Sequence, residues 1–194
     1  MTPPSHARSL PHSAVPSQRH PDAPAPGTPL PSHYDRCFTC GPDHPTGLRM
    51  QVNAGEGVSV EASFTVTEDH QGAPGLAHGG LLASAVDETF GALGWLLRVP
   101  MVTARLETDF VRPVPVGSVL HVVARCDGIS RRRVYLSAEG RLGDGEGDVA
   151  IRAFSVFVQV PIEHFVKHGR RQELDAASER PEVLTALSSF EVNP

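Results

Sequence analysis

The hydrophobic and polar positions in the middle of the chain follow the periods of strands and of one helix. Apolar residues recur over 48–53 and 57–66, which predicts two strands joined as a hairpin. A loop of Gly, Pro and Ala follows over 72–78, and residues 79–97 then predict one long helix that ends before Pro100. Four more strands are predicted after the helix, bounded by proline, glycine or arginine turns: 101–112, 118–126, 133–142 and 149–160.

The predicted helix has two unlike faces. One face is apolar and consists of Leu82, Val86, Phe90, Leu93 and Leu97. The other, here called the small-residue face, consists of Gly80, Ala83, Ser84, Asp87, Gly91 and Gly94. Glycine inside a helix costs up to about 1 kcal/mol relative to alanine, so we expect a backbone or a ligand to approach this face closely. Because a curved sheet buries a single helix efficiently, the pattern predicts an α+β fold in which about six antiparallel strands wrap one central helix.

The two ends of the chain lack this periodicity. Residues 1–33 hold nine of the 18 prolines and four of the 10 histidines without a hydrophobic period, which predicts a disordered tail. The predicted domain covers 34–162. Residues 163–194 are expected to form a peripheral C-terminal tail, with a short helix near 182–190.

Composition narrows the class of protein. With 194 residues, 40% of them hydrophobic, the chain can bury the core of one domain. Its 17 Lys+Arg against 22 Asp+Glu give a net charge of −5, the reverse of what binding to a nucleic-acid backbone requires. Asp87 and Glu88 interrupt the most apolar stretch, so no membrane span is expected. The 3 cysteines form no disulfide framework, which favours a cytoplasmic protein.

The start of the predicted helix offers the groups of a catalytic site. His78, Gly79 and Gly80 place unobstructed backbone N–H groups at a helix N-terminus, where they can hold a carbonyl oxygen that acquires negative charge. Asp87 follows about two turns later on the face of Gly80, so we expect both to border one slit. A carboxylate there can activate water or attack a thioester directly. The alternatives are a structural carboxylate paired with an arginine for Asp87 and a loop-orienting role for His78.

Several motifs occur in a fixed order along residues 37–160. They are the opening segment Cys37-Phe38-Thr39-Cys40-Gly41-Pro42 with Gly47-Leu48, the loop 71–75, the His78-Gly79-Gly80 turn, the Asp87-Glu88 pair and the run 103–115. Together they resemble the hotdog-fold acyl-CoA thioesterases of the PaaI-like branch. The resemblance implies the hotdog fold, hydrolysis of an acyl-CoA thioester, and no cofactor apart from the coenzyme A of the substrate.

The resemblance also implies roles for single residues. Asp87 would be the nucleophile or general base, Gly79 the oxyanion donor, and Thr103 a hydroxyl contributed by the facing subunit. His78 is counted with these catalytic residues. One helix in six strands leaves a sheet edge and the small-residue face exposed, which predicts edge-to-edge pairing of two copies. The resemblance likewise implies a homodimer, which in some relatives pairs again into a tetramer.

Further residues are candidates for substrate binding. Gln71 is the amide nearest the place where related enzymes carry an asparagine, and Gly80 lies in the turn itself. Glu88 projects about 100° away from the small-residue face, so Asp87 is preferred as the catalytic carboxylate and Glu88 is kept with the substrate-binding group. Arginines that could pair with the phosphates of coenzyme A, or simply line solvated turns, complete the set: Arg112, Arg131, Arg132 and Arg133.

Cys37 and Cys40, flanked by His33 and His44, have the spacing of a zinc site. Spacing alone is a weak argument and the resemblance supplies no metal, so the segment is interpreted as a capping turn and no metal is expected. Two other functions share the expected fold: an acyl-thioester dehydratase or hydratase, which needs a histidine–carboxylate pair, and a non-catalytic module that binds acyl-CoA.

Overall fold

The long helix predicted from the sequence is present with its predicted bounds as α1, Gly79–Leu97, in a computed structural model that describes residues 10–170. His78 caps its N-terminus because the ring nitrogen Nδ1 accepts the Gly80 N–H at 2.9 Å. The helix ends at Arg98, whose left-handed φ of 57° turns the chain. All five residues of the predicted apolar face are buried. No helix within residues 10–170 is long and apolar enough to cross a membrane.

The strands lie close to their predicted positions. In chain order the remaining elements are β1 Gln51–Ala54, β2 Ser59–Thr65, β3 Gln71–Ala73, β4 Leu76–Ala77, β5 Met101–Phe110, β6 Val119–Ser130, β7 Arg133–Leu142, β8 Val149–Gln159 and α2 Glu163–His168, with a 3-10 turn at Glu68–His70. Six strands form one antiparallel sheet in the order β1-β2-β6-β7-β8-β5, and β3 and β4 form a small hairpin just before α1.

The six-stranded sheet packs around α1, and the apolar face of the helix fills its concave side. Phe90 of the helix packs edge-on against Phe157 of β8, with the ring centroids 6.2 Å apart. This confirms the expected α+β architecture with one helix wrapped by a sheet of six strands. Strand β6 runs four residues further than predicted because its ladder with β7 continues beyond a bulge between Cys126 and Gly128.

The structure corrects the expectation of a disordered tail for residues 10–33. Val15 exchanges backbone hydrogen bonds with Ile129 of β6 at 2.8 and 2.9 Å, and the Leu30 N–H donates to the Val52 carbonyl at 2.8 Å. Proline removes a donor but is compatible with extended chain, so a proline-rich segment can dock on a sheet through its other backbone groups. The helix predicted near 182–190 lies outside the described residues.

The two edges of the sheet are covered differently. Edge strand β1 is shielded by the N-terminal segment, which bridges to it between Pro29 and Asn53. Among the described residues, edge strand β5 pairs with β8 alone, and no strand lies along the other side of its 10 residues. The small-residue face of α1 is open at Gly91, where a Cβ would meet nothing within 4 Å. Gly94 instead serves this chain's own packing, because a Cβ there would lie 2.9 Å from the Val99 carbonyl oxygen.

Candidate active site

Asp87 lies halfway along α1 on the small-residue face, and Thr103 of β5 holds its carboxylate. The Thr103 Oγ1–H donates to Asp87 Oδ1 at 2.7 Å, and within residues 10–170 no other hydrogen bond reaches this carboxylate. Burial raises the pKa of Asp87, the Thr103 hydrogen bond opposes the rise, and the charge of Glu88 adds to it. The result is an oriented carboxylate with a free oxygen that is more basic than that of an ordinary aspartate.

A bulge in β5 directs Thr103 toward the helix. An odd number of positions separates Thr103 from Phe110, so regular alternation would turn their side chains to opposite faces of the sheet. The ladder shifts by one residue directly after Thr103, and as a result Thr103 pairs with the buried Phe157 and Phe110 pairs with the buried Ile151. Both side chains therefore face α1, Thr103 at Asp87 and Phe110 at the start of the helix.

The two glycines of the turn before α1 have different roles. The Gly80 N–H is occupied by the Nδ1 of His78, so the expected contribution of Gly80 to substrate binding is not available through this donor. The Gly79 N–H makes no hydrogen bond within residues 10–170. Because His78 Nδ1 acts as an acceptor, the neutral ring carries its proton on Nε2. This geometry gives His78 the loop-orienting role and leaves Gly79 as the free donor at the positive end of the helix.

A groove of about 410 Å³ opens beside Gly79. Its walls are mainly apolar and include Phe110 and Val111, two large apolar residues that are 53% and 46% exposed. Leu76 of the small hairpin forms another part of the wall, and Arg112 supplies a charge at its rim. A groove of this size and lining suits an apolar or amide-containing arm of a small molecule.

The groove beside Gly79 is lined without Asp87, so the structure does not bring the free N–H and the carboxylate of one chain into the same groove. They lie more than two turns apart on α1, about 12 Å along the axis. A carbonyl that is held by a donor and attacked at its carbon spans about 7 Å between the two protein groups when the carboxylate attacks directly, and about 10 Å when a water lies between them. Thr103 is also placed differently from the expectation, because it contacts Asp87 within the same chain rather than across an interface.

The candidate arginines separate into two groups at opposite ends of the sheet. Arg112 follows β5 near the Gly79 groove and lies 3.6 Å from the Asp148 carboxylate. The second group is the exposed arginine cluster at the β6–β7 turn, and it lies near the start of β5. Arg133 of β7 pairs with Val158 of β8, and Val158 pairs with Val102 of β5. The ends of β5 are about 30 Å apart, so the two groups cannot bind the same phosphate within one chain. This cluster comprises Arg131, Arg132 and Arg133.

Gln71 braces the loop before the helix. Its Nε2–H donates to Glu68 Oε2 at 2.5 Å, and its Oε1 accepts the Gly75 N–H at 2.6 Å. Both ends of the amide are therefore engaged within the loop, so Gln71 supports the loop in this structure, and its contact with substrate stays a prediction.

Glu88 points away from the small-residue face and into a cluster with His33, Cys37 and Cys40, so the structure does not support its expected role in substrate binding. Its carboxylate accepts a hydrogen bond from Thr39 and lies 3.5 Å from His33 Nδ1. A hydrogen bond from Cys40 holds the pKa of the Cys37 thiol well below its usual value. Hydrogen bonds to Cys37 and Glu88 raise the pKa of His33 to about 10.

Comparison with known proteins shows which family and which relatives this chain is similar to. Residues 74–148 match the family model of the thioesterase superfamily. The acyl-coenzyme A thioesterase THEM4 of Xenopus laevis is 35% identical over 74 residues, which cover 38% of this chain and 33% of that protein. The acyl-coenzyme A thioesterase THEM5 of Mus musculus is 32% identical over 93 residues, or 48% of this chain and 37% of that protein. The chain thus spans about a third of the length of these curated relatives.

A solved structure gives an independent comparison of the fold. The PaaI protein of E. coli, from its phenylacetic acid degradation operon, superposes with a TM-score of 0.54 at 18% sequence identity. The superposition covers 58% of this chain and 80% of that one. At this level of identity the likeness concerns the fold, which is the hotdog fold expected from the sequence motifs.

Proposed function

We propose that this chain, whose residues 74–148 match the family model of the thioesterase superfamily, hydrolyses an acyl-CoA thioester to a free acid and coenzyme A, as a member of the PaaI-like branch. The observation that carries the proposal is the Asp87 carboxylate, which Thr103 orients on a helix face that residues 10–170 leave open at Gly91. A carboxylate with a structural role would instead be expected to pair with a cation inside the fold.

The proposed reaction uses this carboxylate in one of two ways. As a general base, Asp87 takes a proton from water while the water oxygen bonds to the thioester carbon. The negative charge then develops on the carbonyl oxygen, where a free N–H at a helix N-terminus stabilises it. Collapse of the tetrahedral intermediate breaks the C–S bond, and the leaving thiolate receives the proton. As a nucleophile, Asp87 would form a mixed anhydride that water then hydrolyses, with release of the same products.

We place the proposed site between two chains, because Asp87 and the free Gly79 N–H of one chain lie about 12 Å apart along α1, more than a carbonyl and one activated water span. Thr103 lies near the start of the open edge strand β5, and Gly79 lies under Phe110 at the end of β5, where a Cβ on Gly79 would be 3.4 Å from the Phe110 ring. If two β5 edges pair antiparallel about a two-fold axis, the end of one strand meets the start of the other. Gly79 of the partner subunit then approaches Asp87.

This pairing also covers the surfaces that one chain leaves open. It extends the sheet across two subunits and brings the partner's backbone toward the small-residue face at Gly91, where no Cβ stands in the way. The Gly79 groove then receives the acyl or pantetheine arm. The exposed arginines at either end of β5 are available for the phosphates of coenzyme A.

The cap geometry of His78 favours hydrolysis over hydration of an enoyl thioester. A hydratase on this fold would need a histidine that accepts a proton, whereas Nδ1 of His78 is already occupied by the Gly80 N–H. We therefore expect the ring to support the turn before α1 and not to exchange protons with the substrate.

The direct test is release of free thiol from a series of acyl-CoA substrates by the full-length protein. We expect steady turnover with at least one acyl group, and Asp87→Asn at the same concentration supplies the background rate. Stoichiometric CoA binding without turnover would identify a binding module. Addition of water to an enoyl-CoA without thiol release would identify a hydratase, and either result would contradict the proposal.

A further inference from the structure

A second cluster of reactive side chains lies on the other side of the α1 turn that carries Asp87. The donor atoms of His33, Cys37, Cys40 and Glu88 all lie within 4.8 Å of one another. The measured separations are 3.4 Å between Cys40 Sγ and His33 Nδ1, 3.5 Å between His33 Nδ1 and Glu88 Oε1, and 3.7 Å between Cys37 Sγ and Glu88 Oε2. Three of the residues come from one short segment, and Glu88 comes from the helix.

These three separations, two of which involve different oxygens of Glu88, lie close to the edge lengths of a small coordination tetrahedron. Zinc binds sulfur at about 2.3 Å and nitrogen or oxygen at about 2.0–2.2 Å, so neighbouring ligand atoms in a tetrahedral site lie about 3.3–3.8 Å apart. Two thiolates, an imidazole and a carboxylate form a donor set typical of Zn²⁺ and unlike the all-oxygen sets that hold Mg²⁺ or Ca²⁺. We propose that His33, Cys37, Cys40 and Glu88 bind one zinc ion, in a site with four protein ligands.

The backbone of the segment is built to bring the two thiols together. The Gly41 N–H donates to the Cys37 carbonyl at 3.0 Å and closes a tight turn over both cysteines. Only glycine fits at this position, since a Cβ on Gly41 would lie 2.3 Å from the Asp35 carbonyl oxygen and 2.5 Å from Cys37 backbone atoms. The chain thus maintains a turn that presents Cys37 and Cys40 to the same point.

A second layer of hydroxyl groups orients the ligands, as is usual around metal sites. The Thr39 Oγ1–H donates to Glu88 Oε2, and Thr39 is 7% exposed. The Ser32 hydroxyl lies 3.3 Å from Cys40 Sγ. Ligand atoms that are already held by neighbours lose little freedom when a metal binds.

A zinc ion in this site would link residues 33–40 to α1 at Glu88, next to Asp87. With four protein ligands it has no open position for a substrate, so its role would be structural. This inference does not depend on hydrolysis of acyl-CoA, since it concerns the other side of the helix. It replaces the sequence-based expectation that Cys37 and Cys40 form a capping turn without a metal.

The test uses the full-length chain, reduced anaerobically with a phosphine, treated with a chelator and then titrated with Co²⁺ and Zn²⁺. We expect one Co²⁺ per chain with the near-ultraviolet thiolate-to-cobalt absorption of a tetrahedral site, displacement by Zn²⁺, and a Tm that rises with Zn²⁺. Cys37→Ser and Glu88→Gln should each weaken zinc binding by about 100-fold or more, and Thr39→Val by about 10-fold.

The third cysteine provides the matched control, because Cys126 is a half-buried thiol outside the cluster. Cys126→Ser should keep the cobalt spectrum and the zinc affinity. Should Cys37→Ser fail to fold, the metal content of the unmodified chain and the Glu88→Gln titration still decide the question. Zinc binding equally weak in the unmodified chain and in Glu88→Gln would overturn the proposal. So would a Cys37–Cys40 disulfide whose reduction yields no zinc binding.

Discussion

Replacing Asp87 by asparagine is expected to lower kcat/KM for acyl-CoA hydrolysis by about 10²–10⁴-fold, the usual contribution of a positioned acid–base group. Asparagine keeps the volume and can still accept the hydrogen bond from Thr103, which is 2.7 Å long in the native protein. It carries no charge and cannot take a proton from water or attack a carbonyl carbon. Thiol release measured with a saturating and a limiting substrate concentration gives the loss in kcat and in kcat/KM.

The same substitution should leave the fold at least as stable at neutral pH. Burial raises the pKa of Asp87, so the folded state favours the protonated form more than the unfolded chain does. Above the raised pKa the ionised carboxylate therefore destabilises the folded state, and this penalty disappears as the pH falls through that pKa. A neutral asparagine removes the penalty, and the Tm at neutral pH is expected to be equal or higher.

Asp127 offers a matched control for this experiment. It is also partly buried with a pKa raised by burial, and it accepts a hydrogen bond at 2.8 Å from a hydroxyl, that of Ser137. Asp127 lies at the β6 bulge, away from the small-residue face. Asp127→Asn should hydrolyse acyl-CoA at the native rate. Near-native turnover in Asp87→Asn, or an equal loss in both variants, would show that Asp87 is not the catalytic carboxylate.

Gly79→Pro is expected to lower kcat by about 10²–10³-fold with little change in KM, because it deletes one donor to the developing oxyanion. The fold should accept proline here. Gly79 is the first residue of α1, a position where proline is favoured, and His78 before it has φ −70° and ψ 130°, as a residue preceding proline requires. The N–H that proline removes makes no hydrogen bond within residues 10–170.

Gly79→Ala separates the loss of the N–H from the added bulk. Alanine keeps the donor and adds a Cβ whose nearest neighbour, the Phe110 ring, is 3.4 Å away, an ordinary contact. Alanine should therefore retain most of the activity that proline abolishes. Similar kcat values for the native protein and Gly79→Pro, with circular dichroism confirming that both are folded, would place the oxyanion donor elsewhere.

The helix and its two faces could be predicted because both follow from local periodicity. A run of 19 residues with one apolar stripe, between a loop of Gly, Pro and Ala and the helix-breaking Pro100, defines the bounds of a helix, and α1 begins and ends where the sequence predicts. The position of Asp87 on the open face follows from the same period. Docking of the N-terminal segment could not be predicted, because composition does not reveal which backbone groups find partners on a sheet.

Features that depend on strand register or on packing between distant segments could not be predicted from the sequence. The alternation in β5 does not show the bulge after Thr103, and the family resemblance alone assigned that hydroxyl to the facing subunit. Only part of the cluster around Glu88 could be predicted from the sequence, because its residues come from two distant segments. Cys37 and Cys40 share a short motif, whereas Glu88 lies far along the chain, and only the packing of residues 33–40 on α1 brings its carboxylate to them.

In the proposed dimer, each active site combines Asp87 and Thr103 of one subunit with Gly79 of the other. Differently tagged chains can be co-expressed and the heterodimer purified through both tags. An Asp87→Asn chain paired with a Gly79→Pro chain contains one intact site of two in this arrangement, and we expect about half the native activity per dimer.

The decisive measurement compares the activities of two heterodimers. The first pairs the Asp87→Asn chain with the Gly79→Pro chain. The second pairs a chain that carries both substitutions with an unmodified chain. In a site shared between subunits, the second heterodimer has a defect in both sites and should be inactive, while the first retains about half the native activity. The reverse result, with the first heterodimer inactive and the second half active, would mean that each chain holds a complete site and would contradict the shared active site.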